Sequence, residues 1–268
     1  MPQTAASSFL DLCHVSVARG ETTVLHDIDL QVQRGECIAI LGPNGCGKST
    51  LIKTMTRELY PLALPGMHVE VFGRERWDVT QLRRQLGLVT SETPAKSALG
   101  TTASDVVLTG FFSSATLWPN LVVTQAMRDA AAAAMEQVGA TAFAQQELGT
   151  LSAGQQKRVL IARALVGSGD TPADRVLLLD EPSNALDLAA QAELRDTMRR
   201  LAQEGTGLIL VTHQIADIVP EIRRVIFMRD GRIIGDASRE SMLTEAKLQE
   251  LFGVAVNLTE RDGFLHAW

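Results

Sequence analysis

The segment Gly42–Thr50 constrains this chain more than any other, because it joins a short apolar stretch to a helix-forming one through glycines. Cys37–Leu41, before it, is apolar and bounded by glycines, which predicts a buried strand. Thr50–Arg57, after it, places its apolar residues on one helical face. The segment fits the pattern G-x-x-x-x-G-K-[ST], with the residues Gly42, Pro43, Asn44, Gly45, Cys46, Gly47, Lys48, Ser49 and Thr50.

A strand, a glycine loop and a helix N-terminus together form a binding site for phosphate groups. Glycines let backbone N–H groups turn towards the anion, and the helix end adds about half a positive charge. We expect Lys48 to reach the β- and γ-phosphates of a nucleotide and the Ser49 hydroxyl to ligate Mg²⁺. The alternative, a glycine-rich turn with a surface lysine, explains fewer of these features.

The composition is that of an ordinary globular protein, with 46% hydrophobic and 21% charged residues among 268. The length suits one large α/β domain or two small ones. The net charge is −6 and lysine and arginine form no run, which argues against nucleic acid as the main ligand. Cys13, Cys37 and Cys46 are odd in number and lack metal-ligand spacing, so we expect free thiols in a reducing compartment. Cys46 is either an oxidisable thiol or a small filler of the loop, and filler is favoured.

The sequence contains no stretch that predicts a membrane span. Met1–Ser8 is polar and lacks the apolar core of a signal peptide. No run approaches the roughly 18 uninterrupted apolar residues of a spanning helix. A function at a membrane would therefore require a partner that supplies the spans.

The order of the predicted elements indicates an α/β protein. Phe9–Val17 and Val24–Val32 alternate apolar with polar residues around a turn, which predicts an antiparallel hairpin. Thr124–Val138, with five consecutive alanines, predicts a helix. Further strands are expected at Gly66–Phe72, Leu86–Thr90, Arg175–Leu179, Gly207–Thr212, Val225–Met228 and Arg232–Gly235, and further helices at Asp78–Gln85, Gln156–Val166, Leu188–Ala202, Ile215–Ile222, Glu240–Leu243 and Glu245–Phe252.

Strands and helices alternate on both sides of a stretch that is helical throughout. This order implies a mostly parallel sheet core, with an antiparallel β subdomain and an inserted α-helical subdomain. We expect a single domain over residues 1–268, with its core at 1–93 and 167–268 and its helical subdomain at 94–166.

A second chemical signal lies at the end of the strand predicted at Arg175–Leu179, which runs into Asp180 and Glu181. Unpaired buried charge is costly, so packing does not explain two acids at the end of a buried strand. Asp180 suits Mg²⁺ coordination, and Glu181 could polarise an attacking water. The alternative is a pair of acids in an exposed turn, which the glycine loop upstream disfavours.

A third signal is the stretch Leu151–Gln155, which precedes the helix expected at Gln156–Val166. Ser152 and Gly154 could be a helix cap and a turn. The functional alternative is a second anion site that faces a γ-phosphate. One subunit cannot use two such loops on the same triphosphate, and a dimer in which each subunit completes the other's site resolves this.

These motifs together resemble the ATP-binding-cassette (ABC) ATPases along nearly the whole chain. Gly42–Thr50 resembles the Walker A motif, Leu151–Gln155 the signature loop and Leu177–Glu181 the Walker B motif. Ser183–Asp187 resembles the D-loop, and His213, which follows a predicted strand, resembles the switch histidine. The resemblance implies a P-loop NTPase (RecA-like) fold whose cofactors are ATP and Mg²⁺.

By this resemblance, two subunits enclose two ATP molecules, each between one Walker A loop and the partner's Ser152–Gln155. The catalytic residues implied are Lys48, Glu181 and His213, and Mg²⁺ ligands are Ser49 and Asp180. The partner-facing nucleotide contacts implied are Ser152, Gly154, Gln155 and Asp187, the last as a bridge between subunits. Closing the dimer would switch hydrolysis on, since phosphoryl transfer depends on positioning and charge stabilisation.

The chain departs from the family pattern in three places. Arg19 stands where an aromatic residue usually stacks on adenine, and a guanidinium can stack on a base too. Ser91 replaces the usual Q-loop glutamine, with Glu92 next, and either residue could be the one near Mg²⁺. Ala153 stands where glycine is commonest in the signature loop.

Within the family, Ser91 and Thr101–Phe112 look most like molybdate-type and iron-complex-type importer ATPases, and Leu243–Val254 looks like iron–siderophore importers. This implies a cytoplasmic subunit at the inner face of the membrane, with separate transmembrane permease subunits and a solute-binding protein. The alternative is a soluble ABC-type ATPase that acts as a regulator or switch. Phe111, Phe112 and Trp118 are either core residues or a patch for a permease helix.

Overall fold

The structure is a computed structural model that describes residues 8–90, 96–168 and 171–268. The strands are β1 Ser8–Arg19, β2 Thr22–Gln33, β3 Cys37–Leu41, β4 His68–Val71, β5 Leu86–Val89, β6 Val176–Asp180, β7 Gly207–Thr212, β8 Arg224–Arg229, β9 Arg232–Ser238, β10 Leu258–Arg261 and β11 Phe264–Ala267. The helices are α1 Lys48–Met55, α2 Val79–Gln85, α3 Lys96–Leu99, α4 Ala103–Leu108, α5 Gln125–Gln137, α6 Ala153–Leu165, α7 Leu188–Gln203, α8 Arg239–Met242 and α9 Glu245–Phe252. Within the described ranges, every helix is too short or too polar to cross a membrane.

Contacts divide the chain into two units. The first comprises the described residues up to Leu82 together with Gly207–Trp268, and the second is Arg83–Thr206. In the first unit, β1 pairs in antiparallel fashion with β2 and β4, which confirms the predicted hairpin. In the same unit β3 pairs in parallel with β7 and β8, and β9 returns antiparallel to β8.

The core of the first unit comes from the alternating apolar residues of these strands. Neighbouring residues of β3 point to opposite faces of the sheet, and all of Ile38–Leu41 are fully buried. Under the antiparallel sheet, the rings of Phe9 and Phe72 meet edge to face at 5.0 Å, and Trp77 adds a third ring at 6.1 Å from Phe72. The central strand that leads into the glycine loop is therefore buried on both faces, as its apolar sequence predicts.

The second unit pairs β5 with β6 in parallel and surrounds them with helices. α6 packs closely on β5 at Gly87, where a Cβ atom would lie 2.8 Å from the Ala164 carbonyl oxygen. The alanine-rich helix α5 forms as the sequence predicts, and Thr124 caps it by accepting a hydrogen bond from the Met127 N–H. Together with the strands of the first unit, this confirms the expected α/β class with mostly parallel strands and an antiparallel β part.

The helix predicted at Ile215–Ile222 is wrong, because only one 3₁₀ turn forms, at Ile215–Asp217. Pro220 disfavours helical backbone in the residue before it and has no N–H to donate. Ile218 has φ −77° and ψ 94°, so the chain is already extended there. The apolar residues of this segment are spaced as in a helix, but they are buried in an irregular loop.

A C-terminal hairpin, β10 and β11, lies outside the sequence predictions. Its turn has positive φ at Asp262 (54°) and at Gly263 (80°), as a two-residue type I′ turn requires. The Asp-Gly pair was the signal that could have predicted it. The same pair at Asp230–Gly231 forms the predicted turn between β8 and β9, with φ 47° and 73°.

Candidate functional site

The glycine loop has the backbone geometry of an anion cradle. Gly45 and Gly47 have φ of 81° and 107°, conformations that residues with a side chain rarely adopt. α1 begins directly at Lys48, with Gly47 as its N-cap and no side-chain cap from any described residue. Its first turn also contains no acidic residue. The N–H groups and the positive end of the helix dipole are therefore left for an external anion.

Neighbouring residues hold the loop tightly. A Cβ atom at Gly42 would lie 2.3 Å from the Met228 carbonyl oxygen, and one at Gly47 would lie 2.8 Å from Leu25 Cδ2. The Gly231 N–H donates to the Cys46 carbonyl oxygen at 3.0 Å. Contacts with the rest of the first unit therefore fix the backbone of the loop.

Lys48 places its charge inside this loop. The residue is only 6% exposed, and its Nζ donates to the carbonyl oxygens of Gly42 at 2.8 Å and Pro43 at 3.0 Å. Ser49, next along the helix, is exposed, so its hydroxyl is available to a ligand. The loop thus combines a buried ammonium with an accessible hydroxyl, and their contacts with phosphate and Mg²⁺ stay predictions.

Cys46 fills space in the loop. The side chain is 5% exposed. Burial raises the pKa of its thiol, although the nearby Lys48 ammonium acts in the opposite direction. A protonated, buried thiol is a poor nucleophile, which favours the filler interpretation.

His213 is placed at the same sheet edge as the glycine loop. Leu41, the last residue of β3, pairs with Thr212, the last residue of β7, so the segments after these parallel strands leave side by side. The Thr212 hydroxyl donates to the buried Asp217 carboxylate at 3.0 Å and accepts from the Gln214 N–H at 2.9 Å. These bonds anchor the residues around His213. Sequence reasoning missed Asp217, although an acidic residue within an apolar run was a signal for it.

Arg19 also belongs to the first unit. It is the last residue of β1, exposed at the hairpin turn and paired with Thr22. Its stacking role stays a prediction.

In the second unit, Asp180 ends β6 and Glu181 follows it in an unusual conformation. Glu181 has φ 45°, which is uncommon for a residue with a side chain and costs on the order of 1–3 kcal/mol. The Asn184 side-chain amide donates to Glu181 Oε2, and the Asn184 N–H donates to the Glu181 carbonyl oxygen at 3.2 Å. The carboxylate is therefore oriented by the turn that follows it. Sequence reasoning placed Asn184 in the D-loop-like stretch and missed its contact with Glu181, although an asparagine three residues after the acid was a signal for such a turn.

Lys157 links three parts of the second unit. It lies on α6, is 8% exposed, and its Nζ donates to the Thr90 carbonyl oxygen at 3.1 Å. Burial lowers the pKa of its ammonium, and the Asp180 carboxylate partly opposes that shift. Thr90 directly precedes Ser91 and Glu92, which lie outside the described residues. Sequence reasoning missed Lys157 because a lysine on a helix is ordinarily a surface residue.

Ser152 and Gln155 form a capping box at the start of α6. The Ser152 hydroxyl accepts from the Gln155 N–H at 3.3 Å, and Gln155 Oε1 accepts from the Ser152 N–H at 2.9 Å. At Gly154, a Cβ atom would lie 2.7 Å from Ala190 Cβ of α7. The predicted cap is present, and the exposed Ser152 also leaves the start of the helix open to an external ligand.

Asp187 begins α7 in the same way, because its Oδ1 accepts from the Ala190 N–H at 2.8 Å. It is exposed. The structure thus gives this aspartate a role as a helix cap, and its contact with a second subunit stays a prediction.

Comparisons with known proteins identify the family of this chain. The sequence profile of the family described as ABC transporter matches residues 25–184. The hemin import ATP-binding protein HmuV of Methylobacillus flagellatus is 33% identical over 95% of this chain and 93% of its own length. The zinc transport system ATP-binding protein TroB of Treponema pallidum is 32% identical over 97% of this chain and 92% of its own.

A similar solved structure is the dimeric ATP-binding cassette MJ0796 in a post-hydrolysis state, bound to ADP and phosphate. It is 26% identical, with a TM-score of 0.68 over 85% of this chain and 98% of that chain. The profile covers more than half of the chain, and the two curated relatives match nearly all of it. The chain therefore belongs to the ABC transporter family, as an ATP-hydrolysing subunit.

Proposed function

We propose that this ATPase subunit powers an importer of a metal complex or oxyanion, through ATP-driven closure of a dimer. The names of the relatives support this class of cargo, since one is a hemin import protein and another a zinc transport protein. The observation that carries the proposal is the glycine loop with Lys48 inside it, together with a Glu181 carboxylate oriented by Asn184.

Each residue of the site has its own role in binding ATP or in hydrolysis. The loop N–H groups and Lys48 bind the β- and γ-phosphates, and Glu181 accepts a proton from the attacking water. Hydroxyl and carboxylate oxygens are the ligands that Mg²⁺ prefers, so Ser49 and Asp180 fit that ion, with Ser91 or Glu92 as a further ligand. Mg²⁺ would neutralise charge on the phosphates. His213, flanked by anchored residues, contacts the γ-phosphate.

A second copy of the chain completes each site. Ser152, Gly154 and Gln155 offer the N-terminus of a 13-residue helix, whose dipole favours a γ-phosphate of the partner's nucleotide. Asp187 bridges the two subunits, and Arg19 stacks on the adenine. The dimeric state of the MJ0796 cassette with bound ADP and phosphate supports this arrangement.

The partners of the dimer are transmembrane permease subunits, with a solute-binding protein outside the membrane and this subunit on the cytoplasmic face. Trp118 is 60% exposed and Val122 is 76% exposed, while Phe111 and Phe112 are half-buried. An exposed tryptophan beside an exposed valine suits a contact with a permease helix. We place them in a helical subdomain at 94–166, inserted into a core at 1–93 and 167–268.

Co-purification tests the transport role. The chain, expressed with its neighbouring genes, should be recovered from solubilised membranes with a polytopic protein, and the complex should hydrolyse ATP. Trp118→Ala should weaken co-purification, whereas the matched change at the exposed Trp268 should not. Full hydrolysis by the chain alone, with no polytopic protein recovered, would instead support the soluble regulatory ATPase.

A further inference from the structure

The antiparallel sheet carries a cluster of metal-binding side chains away from the nucleotide motifs. Cys13 and His14 lie on β1 and Asp29 on β2, and the cysteine sulfur, an imidazole nitrogen and a carboxylate oxygen all lie within 4.8 Å of one another. Cys13 is half-buried, and the other two residues are exposed. A soft sulfur, a borderline nitrogen and a hard oxygen at one point form a donor set typical of transition-metal ions.

A β-bulge brings the three side chains together. Neighbouring residues of a regular strand point to opposite faces, so Cys13 and His14 would normally diverge. The register of the two strands shifts between neighbouring pairs, Leu12 with Leu30 and Val15 with Ile28. Two residues of β1, Cys13 and His14, therefore oppose the single residue Asp29. His14 has φ 51°, which redirects its side chain, as bulges commonly do at functional positions.

Hydrogen bonds hold the cluster in place. Asp29 Oδ1 accepts from the His14 backbone N–H at 2.8 Å, and the same oxygen lies 4.0 Å from His14 Nδ1. Asp27 Oδ1 lies 2.9 Å from His14 Nδ1. A carboxylate on one ring nitrogen commonly orients a histidine whose other nitrogen binds a metal, so Asp27 on Nδ1 suits a metal on Nε2. For a metal on Nδ1, Asp27 is placed as a fourth ligand.

The surroundings favour a cation. Within the described residues, the charged groups that act on the Cys13 sulfur are the carboxylates of Asp11, Asp27 and Asp29. On the other side of β1, His68 is the cross-strand partner of Cys13, and its Nε2 lies 3.5 Å from Asp11 Oδ1. A divalent ion would therefore enter a negatively charged face with a further imidazole nearby.

We propose that Cys13, His14 and Asp29 form a binding site for a borderline divalent transition-metal ion, with Zn²⁺ as the best match. Three protein ligands and a water complete a tetrahedral Zn²⁺ site, whose donor atoms lie roughly 3.3–3.8 Å apart. The His14 and Asp29 side chains are 56% and 60% exposed, so they have room to rotate towards these separations. An ion there would cross-link β1 and β2 at the bulge. Because this site uses none of the nucleotide-binding residues, it is independent of the proposed transport role.

Zinc titration of the full chain tests the site. The tag-free, nucleotide-free protein is treated with a chelator, returned to excess Mg²⁺ and titrated with Zn²⁺ by calorimetry. We expect one ion per chain, with affinity reduced at least about tenfold in each of Cys13→Ser, His14→Asn and Asp29→Asn. Asparagine tolerates the left-handed backbone of His14, and at position 29 it keeps the acceptor for the His14 N–H, so both variants preserve the bulge. Unchanged ATP binding confirms that each variant is folded.

Cobalt spectroscopy provides a second readout. Co²⁺ should give a thiolate-to-metal charge-transfer band that Cys13→Ser abolishes and that the matched control Cys37→Ser retains. Absence of Zn²⁺ binding, or binding that survives Cys13→Ser, would overturn the proposal. Equal loss in Cys37→Ser would overturn it too, because Cys37 lies outside the cluster.

Discussion

Replacing Gly42 by alanine is expected to damage the phosphate loop from within. An added Cβ atom would lie 2.3 Å from the Met228 carbonyl oxygen, 2.8 Å from Cys46 Sγ and 3.2 Å from the Met228 carbonyl carbon. The Cys46 side chain can move aside, but the Met228 oxygen belongs to the backbone of β8, which pairs with β3. The strain must therefore displace either the strand or the start of the loop.

The size of the effect follows from this geometry. Ordinary van der Waals contact begins at 3.4 Å, so the backbone must open by about 1 Å. Overpacking of this kind costs about 1–3 kcal/mol, and a rigid backbone neighbour puts Gly42→Ala at the upper end, at about 2–3 kcal/mol. A chain of this size loses about 2–4 °C of melting temperature per kcal/mol, so we expect a drop of about 4–12 °C. ATP affinity should fall as well, because Lys48 donates to the Gly42 carbonyl oxygen.

Thermal unfolding and nucleotide titration of Gly42→Ala and of a control variant test the expected losses of stability and of ATP affinity. Gly100→Ala is the matched control, since its Cβ atom would meet nothing within 4 Å and its φ is not left-handed. This control should be neutral or stabilised by about 0.4–1 kcal/mol. A Gly42→Ala protein that has the melting temperature of the wild type and binds ATP equally well would refute the reasoning.

Variants that test three further residues, Ser152, Asn184 and Cys46, give the remaining predictions. Ser152→Ala should lower the free energy of unfolding in urea by about 1 kcal/mol, because it removes the helix cap. Ser152→Asp keeps the cap and the stability, but it should slow hydrolysis because its carboxylate repels the partner's γ-phosphate. Asn184→Ala should lower kcat and leave the KM for ATP unchanged, since it releases the Glu181 carboxylate without touching the phosphate loop. In a variant whose only cysteine is Cys46, iodoacetamide should react slowly at pH 7. The pKa of this thiol is higher in the folded than in the unfolded protein. The free energy of unfolding should therefore fall as the pH rises above the ordinary thiol pKa of about 8.5, because the unfolded chain then loses its proton first.

Local patterns were sufficient to predict much of the fold and the first site. The apolar run before Gly42 and the glycines after it determine a strand, a turn and a helix start within about 20 residues, so no distant contact is needed to recognise them. The capping box of Ser152 and Gln155 is equally local. Both follow from backbone preferences that a sequence displays directly.

Features that depend on distant segments could not be predicted in this way. The bulge that gathers Cys13, His14 and Asp29 arises from the register of two strands, and spacing along the chain does not reveal it. Lys157 donates to the carbonyl oxygen of Thr90, 67 residues away in sequence. The helix expected after His213 failed for a different reason, since Pro220 outweighed the apolar spacing.

The central claim is that two copies of the chain close around ATP, and sedimentation of a hydrolysis-blocked variant tests it most directly. Glu181→Gln removes the proposed base and should lower turnover by about 10²–10⁴-fold while ATP still binds. With Mg-ATP it should sediment as a dimer, and with Mg-ADP as a monomer. A Glu181→Gln protein that stays monomeric in Mg-ATP at high concentration, with its membrane partner present, would contradict the account.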